Sequence, residues 1–180
     1  AEKHHHDAAA DLARRGAALP AEAATTFELQ WLAGDMLRTA GQIDAAVEAF
    51  AHARDAAPDD AARCRAWLGT ADCMRLQDRY DDALEGLDAA QTLAEAGGMI
   101  AEMSGIHYRH ANICFPLGRI DECMAEHEAA RRLGAEAGLP DAEARALGGL
   151  GDVYYLRGRT KTARDYFARC VALCRENGFE

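Results

Sequence analysis

A chain of 180 residues is long enough to bury one ordinary core, and 49% hydrophobic content with only 7% aromatics makes that core alanine-rich, which favours closely packed helices over a sheet. The net charge of -10 excludes nonspecific adhesion to nucleic acid or to an anionic membrane, because both require a basic face. No apolar run approaches the ~18 residues of a membrane span, no secretory signal is present, and the six cysteines are scattered, so reduced thiols in a cytoplasmic protein are expected.

In chain order, residues 1–7 carry His4-His5-His6 and read as a disordered or tag-like N-terminus. Residues 8–180 read as a single array of helices. Ala8, Leu12 and Arg15 keep helical spacing and Pro20 ends the stretch, so 8–20 is a half-unit. Eight helices follow, predicted at 22–39, 44–56, 61–77, 81–96, 99–115, 120–136, 141–157 and 161–176. Acidic residues open several of them, as at Asp59-Asp60, Asp81-Asp82, Asp121-Glu122 and Asp141, where they suit the positive end of the helix dipole. Glycine closes others, at Gly97-Gly98, Gly138 and Asn177-Gly178. The prolines Pro58, Pro116 and Pro140 also fall at helix ends.

The stretch from Leu147 to Cys170 shows how the helices combine. Leu147, Leu150, Gly151 and Tyr154 share one side of a first helix, Gly158 makes a tight turn, and Ala163, Phe167 and Cys170 share one side of the second. Gly151 and Ala163 let the two backbones approach, and Phe167 fills the remaining space. The same hairpin recurs. Gly34, Ala71, Ala111 and Gly151 align at steps of 37, 40 and 40, as do Ala46, Ala83, Cys123 and Ala163, then Phe50, Leu87, His127 and Phe167, and the turns at Gly41, Asp78, Gly118 and Gly158. One helix pair cannot bury its own apolar face, so repetition at this period predicts an all-α solenoid of stacked antiparallel pairs, with repeats at about 22–58, 61–97, 99–138 and 141–177.

These columns resemble the tetratricopeptide repeat. Trp67, Ala71, Met74, Ala83, Leu87 and Ala90 follow its pattern in one unit, and Gly34, Leu37, Ala46, Phe50, Ala53 and Pro58 in another. The resemblance implies a right-handed superhelix. The step near 40 is similar to the longer variant of LGN/Pins-type adaptors and Rap/MalT-type bacterial regulators, in which a His commonly stands where His127 does and Gly-Asp or Gly-Asn precedes a Tyr pair, as in Gly151-Asp152-Val153-Tyr154-Tyr155. In such arrays the first helices line a concave face.

By helical geometry that face takes the residue after each core position and those about one turn to either side: Trp31, Asp35 and Arg38; Leu68, Asp72 and Arg75; Tyr108, Asn112 and Phe115; Gly148, Asp152 and Tyr155. Glu28, Arg65, Gly105 and Arg145 lie a turn earlier, and Arg109 adds a further basic side chain. The ladder Asp35, Asp72, Asn112, Asp152 could accept from the backbone N–H groups of a bound peptide, and the resemblance implies that use for its column. The alternative is that each Asp pairs with a nearby Arg, such as Asp72 with Arg75, and merely solvates the surface. A carboxylate clamp is not matched, because acidic residues stand where that subclass has cationic and amide donors.

The third unit departs from the pattern. His107, His110 and Cys114 lie on one helix and Cys123 and His127 on its partner, aimed at the seam between them, and three or four of these could form a tetrahedral N/S zinc site. They lack the short Cys-x2-Cys knuckle, so buried histidines with satisfied rings are expected and no metal or other cofactor is assigned. Cys170 and Cys174, four apart, raise the same question. No nucleophile–base motif or phosphate-cradling loop is present, and Gly148-Gly149-Leu150-Gly151 sits mid-helix, where it serves packing. The expected function is a noncatalytic adaptor whose concave face binds a peptide or a partner's helix. The alternatives are the ligand- or peptide-sensing portion of a larger bacterial regulator and a metal- or redox-responsive helical domain. After Asn177-Gly178 no polar capping helix is visible, so the last hairpin is expected to show Val171 and Leu173 to solvent, to self-associate through that end, or to continue in a longer protein.

Overall fold

A computed structural model describes residues 8, 11, 12, 15, 16 and 22–179. His4-His5-His6 and most of the predicted half-unit lie outside the described residues. Those of the half-unit that are described are helical. A Cβ added to Gly16 would stand 3.3 Å from Leu29, so this stretch rests against the next helix.

From residue 23 onward the described residues form eight long helices and no strand: α1 (Ala23–Thr39), α2 (Ile43–Asp55), α3 (Asp60–Leu76), α4 (Tyr80–Gly97), α5 (Ile100–Cys114), α6 (Ile120–Glu136), α7 (Pro140–Leu156) and α8 (Thr160–Asn177). Seven of the eight starts lie one residue from the predicted position, two of them for a visible local reason. Asp59 stands outside α3 as its cap, its carboxylate accepting from the Ala62 N–H at 2.7 Å, and Pro140 occupies the first turn of α7, where its missing N–H costs nothing.

The repeated turns share one backbone solution. Gly41, Gly118 and Gly158 have φ of 79°, 71° and 70°, and Asp78 takes the same left-handed conformation at 58° without being glycine. In each, the next residue's N–H reaches back to a carbonyl five residues earlier: Gln42 to Leu37, Arg79 to Met74, Arg119 to Cys114 and Arg159 to Tyr154, at 2.9 to 3.0 Å. The Asp78 carboxylate also accepts from the Tyr80 hydroxyl at 2.7 Å, which ties down the one turn that lacks glycine.

The chain forms two compact units, residues 1–97 and 98–180. In the first, α1 packs on α2, α2 on α3, α3 on α4, and the first helices α1 and α3 touch. In the second, α5, α6, α7 and α8 repeat that arrangement, with α5 touching α7. The predicted core columns are the buried ones. Ala46, Ala71, Ala83, Ala111, Cys123 and Ala163 are 0 to 2% exposed, and Phe50, Leu87 and His127 likewise. Phe167 in the same column is 36% exposed, because no further helix among the described residues covers the outer side of α8.

Close approach explains the glycines unequally. A Cβ on Gly69 would stand 2.5 Å from the Phe50 ring and one on Gly34 2.8 Å, so Phe50 is gripped between α1 and α3. The equivalent contact in the second unit is His127 on Gly149, where a Cβ would run into the imidazole. Gly148 next door has nothing within 4 Å of its would-be Cβ, so of this glycine run it is not required for packing. Gly148→Ala should therefore gain up to ~1 kcal/mol from helix propensity, whereas Gly149→Ala should lose about 1–3 kcal/mol to overpacking. Urea melts of the two variants would check this, and equal effects would refute the packing assignment.

A further repeated device has no counterpart in the apolar pattern. The Cys64 thiol donates to the Ala90 carbonyl at 3.3 Å and the Ser104 hydroxyl to the Ala130 carbonyl at 2.9 Å. Both bonds tie a first helix to its own second helix across 26 residues, inside buried surroundings where a neutral hydrogen bond is retained.

Candidate ligand-binding faces

In the first unit, α1 and α3 bring Glu28, Trp31, Asp35, Arg38, Arg65 and Asp72 to one side. Arg65 spans the two helices: its guanidinium pairs with Glu28 at 2.9 Å and lies 4.6 Å over the Trp31 ring and 5.2 Å over Phe27. Trp31 is also edge-on to Phe50, with centroids 6.4 Å apart. Arg38 pairs with Asp35 at 2.6 Å and also feels Asp72 across the helices. Burial works against its charge, but those two carboxylates prevail and leave its pKa raised. Asp35 is thus engaged by its own helix, as the alternative to peptide binding requires. The donors look different: Trp31 Nε1 and Arg75 Nε are buried without an acceptor among the described residues.

The second unit has a freer face. Tyr108 on α5 lies under Arg145 of α7, 5.8 Å from centroid to guanidinium, and Arg145 pairs with Asp141 at 3.0 Å. Arg109 folds back to the Gly105 carbonyl at 3.1 Å. Neither the Asn112 amide nor the Asp152 carboxylate has a side-chain partner among the described residues. Partial burial raises the Asp152 pKa. Tyr155, one turn further on, is 67% exposed.

The His/Cys seam separates into distinct environments. With the proton on Nδ1, His107 donates to the Glu126 carboxylate at 2.6 Å. Burial alone would raise the Glu126 pKa, but this bond and the nearby His107, His110 and His127 hold it below its usual value. Cys114 and Cys123 sit in a core cluster with Ala111 and Val153, and burial pushes both thiols up to about 11. His127 packs beneath Tyr108, ring centroids 5.8 Å apart, with Nδ1 buried and unpartnered, as is Nε2 of His110. The expectation of satisfied rings therefore fails at one nitrogen of each of these two histidines. Among the described residues no group of three or more His, Cys, Asp or Glu is arranged to hold a metal. His107's partner is a carboxylate that the spacing of His and Cys alone did not reveal.

A cleft of about 450 Å³ lies elsewhere, between α2, α3 and α4, where Arg54 stacks 4.1 Å over Trp67 above Met74 and Thr70. Trp67 stands in the repeat pattern, and nothing in that pattern marks the opening beside it. Its signal was Gly86, whose missing side chain leaves room beside the indole.

Stacked antiparallel helix pairs, each unit exposing a face of first helices, define an all-α repeat protein of the solenoid class. Residues 102–176 match the sequence model of the tetratricopeptide repeat family. Solved structures share the fold across the chain. BtubC from P. vanneervenii matches with a TM-score of 0.70 at 15% identity, over 94% of this chain and 72% of that one. Aspartyl phosphate phosphatase F from Bacillus subtilis matches at 0.63 and 16%, over 93% and 54%. The nearly identical TPR-like repeats of a kinesin light chain-like protein from Podospora anserina match at 0.60 and 13%, over 99% and 98%. At these identities the likeness is one of fold. No curated protein sequence matches the chain closely.

Proposed function

We propose that the protein is a noncatalytic adaptor that binds a peptide or a partner's helix on its first-helix faces. Repeats of this family commonly serve as protein-interaction scaffolds. Among the described residues no helix is long and apolar enough to cross a membrane. The observation that carries the reading is in the second unit: Tyr155, largely exposed, stands one turn from the unengaged carboxyl of Asp152, with Asn112, Tyr108 and Arg145 in the corresponding positions of the face. An amide and a carboxyl that accept, beside aromatic area that holds little side-chain entropy, are what an extended backbone or an amphipathic helix requires of a surface. In the first unit Trp31 and Arg65 offer the anchoring contact, and Asp35, Arg38, Asp72 and Arg75 line the same side.

Panning a displayed library of random peptides against the protein tests this. Enriched peptides should lose at least ~10-fold in affinity, on the order of 1.4 kcal/mol, when Asn112, Asp152 and Tyr155 are replaced together by alanine, with helicity unchanged. Peptides that bind the variant as well as the parent would reject the face.

A further inference from the structure

The six cysteines fall into two classes. Cys64, Cys73, Cys114 and Cys123 are buried, while Cys170 and Cys174 are half-exposed on α8. The repeat register makes the second pair unusual. Their columns hold Ala53 and Ala57, Ala90 and Ala94, then Ala130 and Gly134 in the earlier units, small residues that let helices meet. Ala53, Ala90, Ala94 and Ala130 are each 0% exposed. In the last unit the columns are occupied by thiols, and these open to a pocket.

That pocket, about 340 Å³, is lined by Asp141, Ala144, Arg145, Gly148, Cys170, Cys174 and Phe179. Gly148 has open space over its α-carbon, which keeps the floor clear above the sulfurs. Gly178 turns the chain with φ 70°, and the Phe179 N–H bonds the Cys174 carbonyl at 2.9 Å, bringing the phenyl ring round as an apolar wall. Both thiols line this pocket, four residues apart on α8.

Spacing decides what such a pair can do. On a helix, Cβ atoms four residues apart stand ~5–6 Å from one another, whereas a disulfide needs them ~3.5–4.5 Å apart. Closing an S–S bond would unwind α8. A cation inserted between the sulfurs lengthens the bridge by its own two bonds and leaves the helix intact. Zinc requires four tetrahedral ligands, and the described residues supply no group of three around any point; the carboxylate lining the pocket, Asp141, is held by Arg145 at 3.0 Å. Thiolate pairs without further ligands select soft ions that accept two-coordination, of which copper(I) is the biological example.

We infer that Cys170 and Cys174 form a two-thiolate site for copper(I). On binding, each thiol releases its proton to solvent and forms one sulfur–copper bond, with no change of oxidation state. The resulting centre carries one negative charge, beside the Arg145 guanidinium. Because both ligands bind as thiolates, uptake expels protons and weakens as pH falls.

The reduced full chain, titrated anaerobically with copper(I) against a colorimetric copper(I) chelator, should hold one equivalent. Cys170→Ser/Cys174→Ser should hold one fewer, and it keeps His4-His5-His6 and the four buried cysteines, so the loss reports on this pair alone. Iodoacetamide should label Cys170 and Cys174 in the metal-free native protein and be blocked there by copper(I). Equal copper retention by the two proteins, no retention by the parent, unprotected thiols, or tight zinc(II) binding at the same pair would each overturn the site.

Discussion

Replacing Phe50 by alanine should cost about 3–5 kcal/mol, the largest loss expected from one side chain of the first unit. Its ring is 1% exposed and touches both Gly34 and Gly69, so the cavity left behind is walled by helix backbone from α1 and α3 that cannot collapse inward. Phe167 is its repeat equivalent and presses on Gly151 in the same way, yet 36% of it faces solvent. Phe167→Ala should cost only about 1–2 kcal/mol, because water already reaches the ring and little cavity forms. Thermal unfolding followed by helical circular dichroism distinguishes the two, and equal losses would mean that the outer side of α8 is covered after all.

Acidification from pH 6.5 to about 4 should remove roughly 3 kcal/mol of stability through His127. Its imidazole is 2% exposed, and burial pushes its pKa from 6.5 down to about 4, against a smaller opposing pull from Glu126. The folded pKa lies below the unfolded one, so in this window the unfolded chain binds the extra proton and stability falls as pH falls. Two and a half pKa units correspond to about 3 kcal/mol, fully present above pH 6.5. Glu126 and Glu128 also hold pKa values below the usual 4.5, so their contribution to acid unfolding comes later in the descent. His127→Phe recreates the Phe50–Gly69 packing and should flatten the profile above pH 4.5. A variant as acid-sensitive as the parent between 6.5 and 4.5 would place the titration elsewhere.

Much of the candidate face was legible before any coordinates. Helical spacing alone put Trp31, Asp35 and Arg38 on one side, because positions three and four apart share a face whatever the partner helix does. Which of the acidic groups remains available was open to two readings, peptide binding or pairing with a nearby arginine. Asp35 is taken by Arg38, while the Asp152 carboxyl has no side-chain partner among the described residues, although both stand in one column of the repeat. The choice depends on whether a cation lies one turn away on the same helix, as Arg38 does for Asp35 and Tyr155 does not for Asp152. The same holds for His107, whose spacing to cysteines suggested a metal and whose actual partner is Glu126 on the facing helix.

By itself the sequence determined the eight helices, with ends placed within about one residue, the turns at Gly41, Asp78, Gly118 and Gly158, and the small-residue columns, since these follow from local geometry repeated four times. Only the tertiary structure decided that Phe167 is exposed where Phe50 is sealed, that Gly149 is needed and Gly148 is not, and that Cys170 and Cys174 open into a pocket while Cys64 bonds a buried carbonyl. Those outcomes turn on which atoms stand opposite across a helix interface, and a one-dimensional period specifies which face a residue lies on but not what meets it there.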